Sequence, residues 1–387
     1  MSNAATAEAP AEPKIEHILT VERGPLLQAL TQVAPAAAAR GSSLPILCGL
    51  RLTRVSKNQI RATAPDLDIE VSCTVAADCP KKFDVVVPSK LFRDMVREAA
   101  GTVTLSLGEN PLSPDKDDIV VTWGRTVAII KPYPVSEWPN MSTAEPTSTF
   151  ELTAADVDRI RRIANFASTD DARPILTGIC MDPKDGAVAT DSYRLGLVDL
   201  EGTVSERFLM QARVARFLPM RLLDTETATV TIEGGTATAG AGYVRIECGE
   251  VTIRSCLIQG EFPPYDRLIP TGTPTTMTFN RADLRKALST AKILCVDAIP
   301  VRIVVEDGKE ASIRSVAQDV GQLATTVDIL AHEGTLLQTC AFNVVYLGEM
   351  LGMLDAETVT LELTDALKPA LAKDGPWTLL IMPVRVS

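Results

Sequence analysis

One plan is written three times along this chain, and that repetition constrains the fold more than any single motif. Ile18 opens "ILTVERGPLLQAL", Thr149 opens "TFELTAADVDRIR" and Thr276 opens "TMTFNRADLRKAL". Each reads as a short alternating strand, a polar cap, then apolar residues at helical spacing. Val21, Leu152 and Phe279 align at intervals of 131 and 127 residues. A second set follows in the same order: "LPILCGLRL" from Leu44, "RPILTGICM" from Arg173 and "IPVRIVVED" from Ile299. Its prolines, Pro45, Pro174 and Pro300, are 129 and 126 residues apart.

The third set couples a strand to a helix: "DVVVPSKLFRDMVREA" from Asp84, "RFLMQARVARFLPMRL" from Arg207 and "TCAFNVVYLGEMLGML" from Thr339. β-rich sequence closes each copy. The pattern predicts an α+β chain of three similar domains, each with two helices and many strands. The expected boundaries are 1–14 for a disordered tail rich in Ala, Glu and Pro, then 15–146, 147–271 and 272–387. The segment 108–119 reads as an exposed loop. Its SxxK string at Ser113 lies among Pro and Asp, where nothing desolvates the lysine into a base.

Helical spacing also assigns the faces. On 156–167, Val157, Ile160 and Ile163 form an apolar stripe opposite Arg161, Arg162 and Asn165. On 282–294, Leu284 and Leu288 oppose Arg285 and Lys286; on 89–99, Phe92 and Val96 oppose Lys90, Arg93 and Arg97. On 212–222, Val214 and Phe217 oppose Arg213 and Arg216. Four helices thus turn a basic face outward in a chain of net charge −11. Such a charge argues against coating nucleic acid over the whole surface, but it leaves room for a local phosphate-facing stripe. Aromatic residues make up 4% of the chain and do not interleave with these cations, so the expected binding is to phosphates without base readout. The helices at 24–34 and 343–354 carry little charge, so the third domain is expected to contribute less.

The eight cysteines include no CxxC pair, and the two histidines, His17 and His332, stand in unrelated contexts. No metal or cofactor is expected, and buried free thiols in a reducing cytoplasm are the reading adopted. No apolar run reaches membrane-spanning length, and the N-terminus lacks the pattern of a signal peptide.

One strand raises a question. "ATDSYRLGLV", residues 189–198, breaks its apolar run for Asp191, Ser192, Tyr193 and Arg194. An active site with Ser192 as nucleophile is one reading, and a tight bend presenting polar groups to a partner is another. The nucleophile lacks a neighbouring histidine and an oxyanion-type glycine motif. Asp191 suits capping of its own backbone. The chain is therefore read as a non-enzyme.

Taken in order, "RPILTGI" (173–179), "ATDSYRL" (189–195), "GEFPPYDRLIP" (260–270) and "LLIMPVRV" (379–386) resemble the bacterial DNA polymerase III beta subunit family, the β sliding clamps, over about Ile15–Val386. The resemblance implies a DNA-clamp fold of three topologically similar domains, each with two helices backed by antiparallel sheets. Two chains would close head to tail into a ring around duplex DNA. Twelve helices packed about 8–10 Å apart give a circumference on the order of 110 Å and a diameter of roughly 35 Å between helix axes. The ring would tether the polymerase III catalytic subunit and other proteins carrying clamp-binding peptides. A separate ATP-driven loader would open it, because the chain has no GxxxxGK loop of its own.

The resemblance also implies a partner-peptide pocket. Leu176, Thr190, Ser192, Tyr193, Arg194 and Leu195 would come from the second domain, with Pro263, Arg267 and Leu268 after it. Leu380, Met382, Pro383, Val384 and Arg385 would come from the C-terminus. Apolar members would line a socket while hydroxyls and guanidiniums hold the peptide backbone. For DNA, Arg40 and Arg173 sit where the family has loop residues reaching the duplex; Lys90, Arg93, Arg97, Arg162, Arg213, Arg216, Arg285 and Lys286 are the helical candidates. Ser192 and Tyr193 replace a Gly-His pair frequent in the family, and the third domain holds the repeat with few signature residues. A divergent clamp paralogue with altered partners or a specialised polymerase is the alternative, and an enzyme on a borrowed fold is a third. The expected location is cytoplasmic and nucleoid-associated, with no membrane association.

Overall fold

The computed structural model describes residues 15–38, 43–108, 118–139, 141, 144–219, 226–234, 242–270, 272, 275–295, 300–317, 319–335 and 339–385. Arg40, the 1–14 tail and Ser113 lie outside the described residues. The chain divides into two compact units: residues 1–144 with 245–255, and residues 145–244 with 256–387.

In the first unit, strand Ile15–Glu22 pairs antiparallel with Thr102–Gly108, which continues through Ile119–Trp123 to Thr126–Ile130. A second sheet runs Asp84–Pro88, Gly49–Ser56, Gln59–Pro65, Ile69–Ala76, and residues 251–255 pair with its last strand. Helix α1 (Arg23–Val33) buries Leu26, Ala29, Leu30 and Val33. Helix α2 (Ser89–Glu98) buries Phe92 and Val96. Both helices lack a side-chain cap, since Glu22 and Pro88 stand at their N-cap positions.

Among the described residues the second unit carries an antiparallel sheet of twelve strands, and outside it Pro146–Thr153 pairs with Thr227–Glu233. The sheet runs from Phe208–Gln211 through Gly178–Asp182, Gly186–Thr190 and Arg194–Val198 to Trp377–Ile381, then on through Ala370–Asp374 and Thr358–Leu363. The pairing of Arg194–Val198 with Trp377–Ile381 joins the second repeat to the third, with Leu195 opposite Leu380. Helix α3 (Ala154–Ile163) starts at a capping box: the Thr153 hydroxyl accepts from the Asp156 N–H and the Asp156 carboxylate accepts from the Thr153 N–H. At α4 (Arg281–Ala291) and α5 (Val344–Met353) the N-cap side chains of Asn280 and Asn343 accept backbone N–H groups, from Asp283 and from Val345 and Tyr346.

Three expectations are corrected. The helix expected over 212–222 is, up to residue 219, a short 3-10 run, Ala212–Arg216, followed by a turn, and 220–222 lie outside the described residues. Pro219 explains it, because a proline disfavours helical geometry at the residue before it and has no N–H to donate. The three proline-led segments also differ. Pro45–Cys48 and Pro174–Thr177 form 3-10 turns that each deliver a glycine into a crowded strand start. A Cβ on Gly49 would lie 2.5 Å from Val86 Cγ1, and one on Gly178 would lie 2.8 Å from Ile258 Cδ1. The third copy has Val304 at the matching place, and strand Val301–Val305 begins directly after Pro300. Nor are all thiols buried: Cys48, Cys256 and Cys295 are half-buried.

Candidate functional site: the turn at 190–194 and its surroundings

The polar break in residues 189–198 is a tight turn between strands Gly186–Thr190 and Arg194–Val198. Asp191 Oδ1 accepts the N–H groups of Tyr193 and Arg194 at 2.9 and 3.0 Å. The Thr190 hydroxyl donates to the Arg194 carbonyl at 2.7 Å and accepts from the Ser192 N–H at 3.1 Å. These bonds hold Ser192 at φ +79°, the one non-glycine residue with positive φ among those described. A left-handed L-residue costs about 1–2 kcal/mol. The turn leaves Tyr193 59% exposed. The capping role read for Asp191 is thus what the geometry has. Arg173 donates to the Ser192 hydroxyl at 3.2 Å and to Asp170 at 3.0 Å. The Ala172 N–H and the Arg173 guanidinium hold the Asp170 carboxyl below its ordinary value.

Arg194 is not on the rim. Its guanidinium donates from Nε to Asp191 at 2.9 Å, from Nη2 to the Asn165 carbonyl at 2.7 Å, and from Nη1 to Glu349. It lies between the rings of Phe166, at 5.0 Å, and Tyr346, at 4.4 Å. The Tyr346 ring stacks in turn on Tyr193, with centroids 6.4 Å apart. Burial, together with the Asp191 charge, pushes the Tyr346 phenol above its ordinary value. Tyr346 and Glu349 stand on α5 and Asn165 and Phe166 follow α3, so one guanidinium fastens the second repeat to the third. Arg162 is a second fastener. It pairs with both Asp355 oxygens at 3.1 Å, donates to the Met353 carbonyl, and lies 4.9 Å from the Trp377 ring centroid.

The apolar pocket candidates divide in two. Leu195 and Leu380 are fully buried, within a cluster that includes Cys180, Phe262, Tyr265 and Leu371. Leu176 is also buried, whereas Leu268 and Met382 are exposed and Pro263 is half-buried. Around them, Tyr265 fixes the turn Tyr265–Leu268 by donating its hydroxyl to Asp185 at 2.7 Å. The C-terminal segment is held by its backbone, through Met382 N–H to the Tyr193 carbonyl and Val384 N–H to the Ala341 carbonyl, each 2.8 Å. Arg267 and Arg385 are exposed, and Pro383 and Val384 half-buried. Tyr346, Glu349 and Phe166 were not among the residues picked from the sequence; the chain of contacts from Tyr193 finds them.

Of the remaining basic candidates, Lys90, Arg97, Arg216, Arg285 and Lys286 are exposed. Arg97 pairs with Asp94 at 3.0 Å, Arg93 is half-buried, and Arg213 donates to Gln211 at 2.6 Å. Among the described residues no helix is long and apolar enough to cross a membrane.

Three family models match in chain order: the DNA polymerase III beta subunit N-terminal domain over residues 18–141, its central domain over 153–264 and its C-terminal domain over 266–385. The beta sliding clamp of Pseudomonas aeruginosa is 26% identical over 379 residues, covering 95% of this chain and 99% of that protein. That of Vibrio cholerae is 27% identical over 380 residues, with the same coverage. A DnaN sliding clamp from Bartonella birtlesii, solved bound to griselimycin, is 25% identical; the match has a TM-score of 0.83 and covers 96% of this chain and all of that one. A Eubacterium rectale structure described as a putative DNA polymerase III beta subunit has a TM-score of 0.82 at 18% identity, with the same coverage, and shares the fold. With all three domains matched in order across nearly its whole length, this chain belongs to the DNA polymerase III beta subunit family, the β sliding clamps.

Proposed function

We propose that this protein acts as a DNA sliding clamp: a head-to-tail homodimeric ring that encircles duplex DNA and tethers the replicative polymerase and other clamp-binding proteins in the cytoplasm, at the nucleoid. The ordered match of three clamp domains over residues 18–385 carries this reading. The mechanism is topological and non-enzymatic. A closed ring cannot leave circular DNA, so tight contacts are unnecessary, and tethering keeps a weakly held polymerase at high local concentration near its primer end.

Partner peptides dock where the second and third domains meet. Leu176, Leu195 and Leu380 supply the apolar bed, with Leu268, Met382 and Pro263 around it. Tyr193 forms one wall, and Arg267 and Arg385 meet the peptide's polar groups. Thr190 and Arg194 act from behind, one shaping the turn and the other anchoring it. This assignment is supported by the exposure of Tyr193, Leu268 and Met382 beside a buried leucine cluster. Fluorescence anisotropy with a labelled clamp-binding peptide tests it. Arg267→Ala should weaken binding about 10–100-fold, the worth of a hydrogen bond to a charged group. Unchanged affinity would move the pocket elsewhere. Light scattering should give twice the 41.5 kDa chain mass for the wild type and the variant alike.

A further inference from the structure

The turn Tyr265–Leu268 carries Arg267 and Leu268 to the surface, yet its N-cap residue, Pro264, supplies no side-chain cap. The first residue anchors it instead. Tyr265 is 3% exposed, inside the cluster that holds Leu195 and Leu380, with its ring 6.0 Å from that of Phe262. At the far end of the ring the hydroxyl donates to Asp185 at 2.7 Å, across 80 residues of sequence. Asp185 stands in the turn between strands Gly178–Asp182 and Gly186–Thr190. The backbone there is tightly packed, since a Cβ on Gly186 would lie 2.3 Å from the Val198 carbonyl oxygen. The acceptor is therefore fixed against the neighbouring strand.

The charges around Asp185 leave one of its oxygens to the phenol. Lys184 lies 3.5 Å from the other oxygen, but its side chain is 77% exposed and water screens the pair. Asp182, in the same turn, is occupied by the Lys184 N–H at 2.8 Å and by Arg207 Nε at 3.3 Å. The Arg207 guanidinium also lies over the Tyr265 ring, 6.0 Å from its centroid. Burial, and then the bond to Asp185, push the phenol above its ordinary value, so it remains a donor. A hydrogen bond to an ionised acceptor is about twice as strong as a neutral one.

We infer that Asp185 and the Tyr265 hydroxyl form a latch that sets how tightly partner peptides bind, by holding the turn in the arrangement that presents Arg267 and Leu268. Asp185 stands outside the residues assigned to the peptide, so it is a positioning residue. The inference rests on the peptide-site reading above. Without the latch, the packing of the Tyr265 ring keeps the fold. The turn then spends only part of its time in the binding arrangement, and affinity falls by that fraction.

The test is anisotropy of the labelled clamp-binding peptide with the full-length chain. Tyr265→Phe removes one oxygen and keeps the buried ring. Its Kd should rise about tenfold, the effect of cutting the binding-competent population to about a tenth. Asp185→Ala should match it, and the double variant should be no weaker than either, because the two groups make one latch. Asp185→Asn keeps an acceptor oxygen and should recover part of the affinity. In an Arg267→Ala background Tyr265→Phe should cost about threefold at most, because its route through Arg267 is gone. General loosening of the fold would instead cost the same in both backgrounds, and that result overturns the latch. So does a Kd for Tyr265→Phe within about twofold of wild type while Arg267→Ala alone weakens binding. If Arg267→Ala leaves affinity unchanged, the peptide-site reading fails and the latch fails with it.

Discussion

Truncating Arg194 to alanine should unfasten the central domain from the C-terminal one. The Arg194 and Asp191 side chains are only 9% and 10% exposed. Removing one member of a buried pair strands the other charge, at about 3–5 kcal/mol. Glu349 is 47% exposed, so water replaces most of what it loses and its share is at most about 1 kcal/mol. The contacts with Phe166 and Tyr346 would be worth about 0.5–2 kcal/mol each if counted alone. They belong to the same guanidinium, so they overlap with the pair and do not add to it. A net loss of about 4 kcal/mol is expected. Native-state hydrogen exchange at strands Arg194–Val198 and Trp377–Ile381 measures it directly, because the opening free energy of that junction is the quantity at stake. Arg194→Lys is the informative companion. A single ammonium cannot reach Asp191, Glu349 and the Asn165 carbonyl together, so it should recover less than half of the loss. A loss under about 1 kcal/mol for Arg194→Ala would mean that the pair is effectively solvated, and the fastening role would be refuted.

Ser192→Val should destabilise the turn by about 1–3 kcal/mol, because a β-branched residue resists φ +79°, whereas Ser192→Gly should fold at least as well. Urea midpoints compare the two, and equal values would contradict the strained turn. Burial pushes the Cys340 thiol up to about 12, while an unfolded thiol ionises near about 8.5. Between those values the unfolded chain releases a proton that the folded chain keeps, so stability is full below about pH 8.5 and falls as pH rises through this window. The contribution is at most about 1.4 kcal/mol per pH unit. Unfolding at pH 7, 9 and 10 should show it, and Cys340→Ala should flatten the decline.

How much of this was legible in the sequence follows from the range of each interaction. Apolar spacing acts within a few residues, so α2, expected over 89–99, lies at Ser89–Glu98, and α4, expected over 282–294 and capped locally by Asn280, lies at Arg281–Ala291. The 212–222 segment failed because repeat logic outranked Pro219, although the proline was in plain view. The turn at Asp191 was readable as a cap, since Asx chemistry is local. The partners of Arg194 were not. Phe166 precedes it by 28 residues and Glu349 follows it by 155, and no periodicity announces that a guanidinium in one repeat will be held by a helix in the next. The partners of Arg162 were hidden for the same reason: its helical phase is polar, and Asp355 and Trp377 arrive from the far end of the chain.

The clamp reading is tested most directly by topology. The labelled protein should be loaded by a clamp loader and ATP onto a nicked circular plasmid, then separated from free protein by gel filtration. Co-elution with the circle and release when a restriction enzyme linearises it are the predicted results. Equal retention on circular and linear DNA would show binding by contact alone, and absence from both would show that no closed ring forms; either contradicts a sliding clamp.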